Sequence, residues 1–150
     1  MVQSRTLLRE LSDNKNFIDF NVSALSFDSR EIDYGNIFFA LKGNKQDGRD
    51  FISEAKSRGA KLILCEENIQ DTSVIQVDNL RDYMGKVASR FYGDPSRKLK
   101  TFCVTGTNGK TSCVESLAKL AYNLGSNCGY LSTIGVSLDG INVIRDSELT

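Results

Sequence analysis

Apolar positions along this chain follow two rhythms, and the changes between them outline its elements. Ile37-Phe38-Phe39-Ala40-Leu41 is a short unbroken apolar run, and Lys61 to Cys65 and Val74 to Val77 are similar. Such runs predict strands buried on both faces of a sheet. Val22 to Phe27 predicts another strand, ending in Asp28-Ser29-Arg30. Helical spacing fills the gaps. Leu7, Leu8 and Leu11 predict a short first helix before the polar Ser12 to Asn16 turn. Phe51, Ile52 and Ala55 predict a second, stopped by Gly59 behind Arg58. Leu80, Tyr83, Met84, Val87, Ala88 and Phe91 form an i, i+3, i+4, i+7 stripe, the core face of a third helix capped by Asp78 or Asn79.

Gly93-Asp94-Pro95-Ser96 holds the only proline and divides the chain into units 1–95 and 96–150. In the second unit, Leu99 to Val104 predicts a strand. A helix from about Lys110 to Gly125 should bury Val114, Leu117, Leu120, Ala121 and Leu124. Cys128 to Leu131 reads as a further strand, and Val136 to Ile144 as a hairpin turning at Asp139-Gly140. The fold class is α/β: a small N-terminal α/β domain followed by the opening of a second α/β domain. That second domain needs further strands to cover its apolar faces, so the simplest expectation is the front part of a longer protein.

Composition removes several function classes. Lys and Arg total 19 and Asp and Glu total 19, so no basic field favours nucleic acid or an anionic membrane. No apolar run approaches a spanning length, and the start lacks a leader-like segment, which implies a cytoplasmic protein. Four cysteines, Cys65, Cys103, Cys113 and Cys128, lie far apart and no histidine is present. Zinc sites and His-based acid–base chemistry are unsupported. Three of the cysteines fall in apolar segments and read as reduced, buried thiols.

The chemistry concentrates in Val104-Thr105-Gly106-Thr107-Asn108-Gly109-Lys110-Thr111-Ser112. Two glycines let backbone N–H groups converge, and the helix start adds partial positive charge. Lys110 would reach the β- and γ-phosphates of a nucleotide, and the Thr111 hydroxyl would ligate its Mg²⁺. Only G-x-x-G-K-T is present, since Val104 stands where the longer phosphate-loop pattern has its first glycine. The same residues also suit a glycine-rich turn whose lysine faces solvent. The strand–loop–helix context favours the phosphate.

These segments together resemble the Mur ligases of peptidoglycan synthesis, in particular the branch that adds the third peptide residue. The resemblance rests on Asp28-Ser29-Arg30, Gly35 to Leu41, Gly43, Asp47-Gly48-Arg49-Asp50-Phe51-Ile52, Phe91 to Ser96 and Val104 to Thr111, in that order. It implies a UDP-MurNAc-binding domain over 1–95 and the start of a P-loop central ATPase domain over 96–150. Carried over by position, Phe27, Ser29, Asn44, Lys45, Gln46 and Thr150 would hold the UDP-sugar substrate. Gly106, Thr107, Asn108, Gly109, Lys110, Thr111 and Ser112 would hold ATP, with Lys110 catalytic and Thr111 the metal ligand. Asp28-Ser29 equally suits an ordinary Asx or Ser turn.

The implied reaction is ATP-dependent amide ligation with ATP and Mg²⁺. The carboxylate of UDP-MurNAc-L-Ala-D-Glu becomes an acyl phosphate, which the amine of meso-diaminopimelate or L-lysine attacks. The partners implied are these small molecules, with no nucleic acid or membrane, and the protein should be a monomer. The remaining machinery would lie beyond Thr150, so this stretch alone should not ligate. Alternatives are the sister ligase that adds D-Ala-D-Ala, and a non-catalytic nucleotide-binding module. Folylpolyglutamate synthetase shares the Thr-Asn-Gly-Lys loop but has no preceding domain of this kind.

Overall fold

A four-stranded parallel sheet, β3-β4-β5-β6 in chain order, is the frame of the first half of the chain. It is seen in a computed structural model that describes residues 2–12, 17–43, 46–140, 142 and 144. Two compact units are present, 1–99 and 100–150.

In the first unit, Val2–Gln3 (β1) pairs antiparallel with Asn21–Val22 (β2), flanking the short helices Ser4–Leu7 (α1) and Arg9–Ser12 (α2). Leu25–Ser26 (β3), Ile37–Phe39 (β4), Leu62–Cys65 (β5) and Val74–Gln76 (β6) form the sheet, in registers Ser26 to Phe38, Phe38 to Ile63 and Ile63 to Val74. Ile52–Ser57 (α3) and Leu80–Phe91 (α4) complete the unit. The Val22 to Phe27 strand expected from sequence is therefore two short strands in two sheets. Ser23 breaks the run by donating its backbone N–H to Gly35 O.

Alternation along the strands sorts their side chains between two layers. Ile37, Phe39, Leu62, Leu64 and Ile75 face Leu7, Leu8, Leu80, Tyr83 and Val87. Phe38, Ile63, Cys65 and Val74 face Ile32 and Ala55. Burial of each large apolar side chain contributes about 1.5–3 kcal/mol, so both layers are held firmly against the sheet. The α4 stripe read from sequence forms its core face, with Leu80, Tyr83 and Val87 buried. Its cap differs. Asn79 sits in a left-handed conformation without a side-chain bond, and Glu66 Oε1 accepts from the Leu80 N–H instead, at 3.1 Å.

The second unit contains Lys110–Asn123 (α5) and the antiparallel pair Tyr130–Ser132 (β7) with Gly135–Ser137 (β8). Three expectations fail here. Leu99 to Val104 is not a strand, and Leu99 and Phe102 are exposed. The apolar stripe of α5 is open: Leu117, Leu120 and Leu124 are exposed and only Ala118 is buried. One physical reason covers both. Within the second unit, the sheet among the described residues is the two-stranded β7–β8 pair, too narrow to cover the whole helix stripe, and the extended segment does not join it. The thiols are the third case: Cys65 is buried and Cys128 half-buried, but Cys103 and Cys113 are exposed. The strand expected at Cys128 to Leu131 begins at Tyr130. The chain turns at Asp139-Gly140 so that Val136 bridges Ile144.

Candidate functional site

Parallel strands deliver their carboxyl ends to one edge of a sheet, where α/β folds commonly bind ligands. In the first unit the chain leaving β3 supplies Phe27, Asp28, Ser29 and Arg30 at that edge. The chain leaving β4 supplies Leu41, Gly43, Gln46 and Gly48. With Phe51, Glu54 of α3, and Arg81 and Met84 of α4, these residues line a cavity of about 670 Å³.

The two strand ends are shaped by the same device. Asp28 Oδ1 accepts from the backbone N–H of Arg30 at 2.9 Å, and its carboxylate also pairs with the Arg30 guanidinium at 2.6 Å. Asp47 Oδ1 accepts from the Arg49 N–H at 3.1 Å and pairs with the Arg49 guanidinium. Each aspartate thus caps a 3₁₀ turn. The Arg30 bonds hold the Asp28 carboxyl at about 2, and the Arg49 bonds do the same for Asp47. The Asx turn and a place in the cavity wall are both realised at Asp28-Ser29.

Between these turns the β4 loop closes tightly. The Gly48 N–H donates to Leu41 O at 2.8 Å, and the Gly43 N–H donates to Gln46 O at 3.0 Å. A Cβ at Gly48 would come within 2.6 Å of Leu41 O, so only glycine lets the turn approach the strand end.

Ser29 is buried, and its hydroxyl donates to Glu54 Oε2 at 2.7 Å. The other Glu54 oxygen accepts from Arg58 Nε at 3.2 Å. Phe27 is 68% exposed. Arg81 is exposed and makes no ion pair or hydrogen bond among the described residues. The cavity therefore offers an aromatic face, a buried hydroxyl, an amide and an uncommitted guanidinium. That set suits a ligand with a flat polar ring and an anionic tail.

Of the residues expected to hold a UDP-sugar, the structure gathers Phe27, Ser29 and Gln46 around this cavity. Asn44, Lys45 and Thr150 lie outside the described residues. Leu41, Phe51, Glu54, Arg81 and Met84 were not anticipated. Arg81 carried one usable signal, a basic residue in the first turn of a helix directly after a sheet strand.

The second unit holds the glycine-rich turn. Gly109 has φ +77° and precedes the first residue of α5, and nothing lies within 4 Å of where a Cβ would stand. Residues 105–110 are exposed. The Lys110 ammonium donates to Gly106 O at 2.6 Å and to Thr107 O at 3.3 Å. Thr111 Oγ1 lies 3.4 Å from Thr133 Oγ1. Ser112 follows on α5. No group of three or more Cys, Asp or Glu side chains is gathered for a metal among the described residues. A Mg²⁺ here would have the Thr111 hydroxyl and the oxygens of a nucleotide, a donor set that suits an ion commonly bound through phosphates. No helix among the described residues is long and apolar enough to cross a membrane.

Comparison with known proteins gives this geometry a context. Residues 21–92 match the family described as Mur ligase family, catalytic domain. The chain is 42% identical over 133 residues to the UDP-N-acetylmuramoyl-L-alanyl-D-glutamate--2,6-diaminopimelate ligase of Cytophaga hutchinsonii, covering 85% of this chain and 26% of that protein. A solved structure of a UDP-N-acetylmuramoyl-L-alanyl-D-glutamate--2,6-diaminopimelate ligase superposes with a TM-score of 0.70 at 25% identity, over 91% of this chain and 28% of that one. The crystal structure of MurF ligase from Thermotoga maritima in complex with ADP matches with a TM-score of 0.52 at 32% identity, over 67% of this chain and 23% of that one. The chain spans about a quarter of the length of these relatives.

Proposed function

From the kinship of this chain with the N-terminal part of the Mur ligases, we propose that it serves an ATP-dependent carboxylate–amine ligation in peptidoglycan precursor synthesis. Its substrate is UDP-MurNAc-L-Ala-D-Glu and the amine comes from 2,6-diaminopimelate, the amino acid in the names of its relatives. The first unit holds the uridine diphosphate end in the cavity at the sheet edge. The glycine-rich turn of the second unit takes the triphosphate tail of ATP.

In this reading Gly106 to Gly109 present backbone N–H groups to the phosphates, and Lys110 adds an ammonium beside them. Lys110 already rests on the turn's own carbonyls, so its charge is held at the loop before any anion arrives. Thr111 would hold Mg²⁺, which when bound neutralises phosphate charge during transfer. The contribution of these residues is alignment and charge stabilisation rather than covalent chemistry. Carboxylate activation needs that help, since an unmodified carboxylate has no competent leaving group. The relatives' names favour a diamino acid over the D-Ala-D-Ala of the sister ligase.

The observation that carries the proposal is the cavity at the ends of β3 and β4, lined by Phe27, Ser29 and Gln46 in a chain with this kinship. Calorimetric titration of the 150-residue chain with UDP and with UDP-MurNAc-L-Ala-D-Glu tests it. Binding tighter than about 1 mM, worth about 4 kcal/mol, is expected for both, with AMP failing to compete. No heat with either ligand at millimolar concentration overturns it.

A further inference from the structure

Ser29 sits in the cavity wall with its proton already committed. A carboxylate oxygen only accepts, so the 2.7 Å contact between Ser29 Oγ and Glu54 Oε2 fixes the hydroxyl as the donor. Arg58 binds the other oxygen of Glu54 and keeps the carboxylate aligned. What Ser29 presents to a ligand is then lone pairs alone. From this we infer that Glu54 is a positioning residue that turns Ser29 into an obligate hydrogen-bond acceptor, and so selects a base carrying an N–H at that edge.

The charges in the cavity orient the ligand accordingly. Asp28 is paired with Arg30 and Glu54 with Arg58, which leaves Arg81 as the cation of the cavity lining without a partner among the described residues. A diphosphate is drawn to Arg81, which leaves Ser29 to the uncharged base. Phe27, two residues before Ser29 and largely exposed, offers that base a stacking face. Uracil brings an N3–H donor to such an edge, whereas cytosine has a bare, accepting N3. Two acceptors face to face lose the bond and leave both groups unpaired.

The inference rests on the proposal that this cavity takes the nucleotide end, and the test separates the two. UDP, CDP and N3-methyl-UDP are titrated into the unmodified 150-residue chain by calorimetry. UDP is expected to bind about tenfold more tightly than either analogue. In Glu54→Ala the Ser29 hydroxyl is free to donate, and CDP should come within about threefold of UDP, with thermal unfolding checking that the variant is folded. If that variant does not fold, the N3-methyl analogue on the unmodified chain carries the test alone. Equal binding of UDP and N3-methyl-UDP, or an undiminished preference in folded Glu54→Ala, overturns the inference and leaves the cavity assignment standing. Failure of all three nucleotides to bind overturns both.

Discussion

Replacing Gly48 by alanine should damage the cavity from a single atom. The added Cβ would stand 2.6 Å from Leu41 O, 2.7 Å from Leu41 N and 3.0 Å from the Ala40 carbonyl carbon. All three are backbone atoms at the end of β4 and cannot rotate away. Relief requires a shift of roughly 1 Å toward ordinary contact distance, which also loosens the 2.8 Å bond from Gly48 N–H to Leu41 O. Overpacking of this kind costs about 1–3 kcal/mol and a weakened backbone bond about 1 more. The stiffer unfolded chain returns about 0.5–1. A net loss of about 2 kcal/mol lowers the midpoint of a unit this size by roughly 8–16 °C. Thermal unfolding by circular dichroism reads that shift, and a UDP titration should show weaker binding as the Gln46 and Phe51 walls move. Gly85→Ala is the internal control: nothing lies within 4 Å of its Cβ in the middle of α4, so it should stabilise by about 1 kcal/mol. Equal melting of Gly48→Ala and the unmodified chain would refute the close-approach argument.

Other perturbations probe separate parts of the same unit. Arg81→Ala should weaken UDP about tenfold while leaving uridine unchanged, and added salt should shrink the difference. The Tyr83 hydroxyl is buried without a hydrogen-bond partner among the described residues, and burial pushes its pKa up to about 12. Tyr83→Phe should therefore leave urea stability unchanged or raise it by up to about 1 kcal/mol. Glu10, Asp28 and Asp47 are each held at about 2 by hydrogen bonds from Arg90, Arg30 and Arg49, below the ordinary carboxylate range. Depressed carboxylates stabilise the folded state fully above their unfolded pKa, so the melting temperature should hold above about pH 5 and fall between about pH 4 and 2.

How much of this was legible in the residues divides along the two units. Ile37-Phe38-Phe39 and Leu62 to Cys65 announced a two-sided sheet because every position is apolar, and both faces are covered. The α4 stripe was legible for the same reason, since its periodic residues meet a surface. The α5 stripe has equal periodicity, yet Leu117, Leu120 and Leu124 stay exposed: periodicity states what a helix can bury, and a facing layer decides whether it does. Asn79 looked like a cap by residue type, but Glu66 from a distant loop made the bond. Around the cavity, motif position pointed to Phe27, Ser29 and Gln46. Glu54 and Arg81 come from helices far along the chain, and only the fold brings them there.

The strictly sequential order of the sheet has a consequence for biogenesis. A ribosome releases β3, β4, β5 and β6 in the order in which they lie side by side, so each new strand finds its template already waiting. The last piece is different in kind. Leu80, Tyr83 and Val87 arrive after the sheet, and they close over Leu7 and Leu8, which were made first, while Arg90 reaches back to the Leu7 carbonyl at 2.8 Å. Until about ninety residues have left the exit tunnel, one side of the nascent sheet stays greasy and open to chaperones, and sealing it is a single late step.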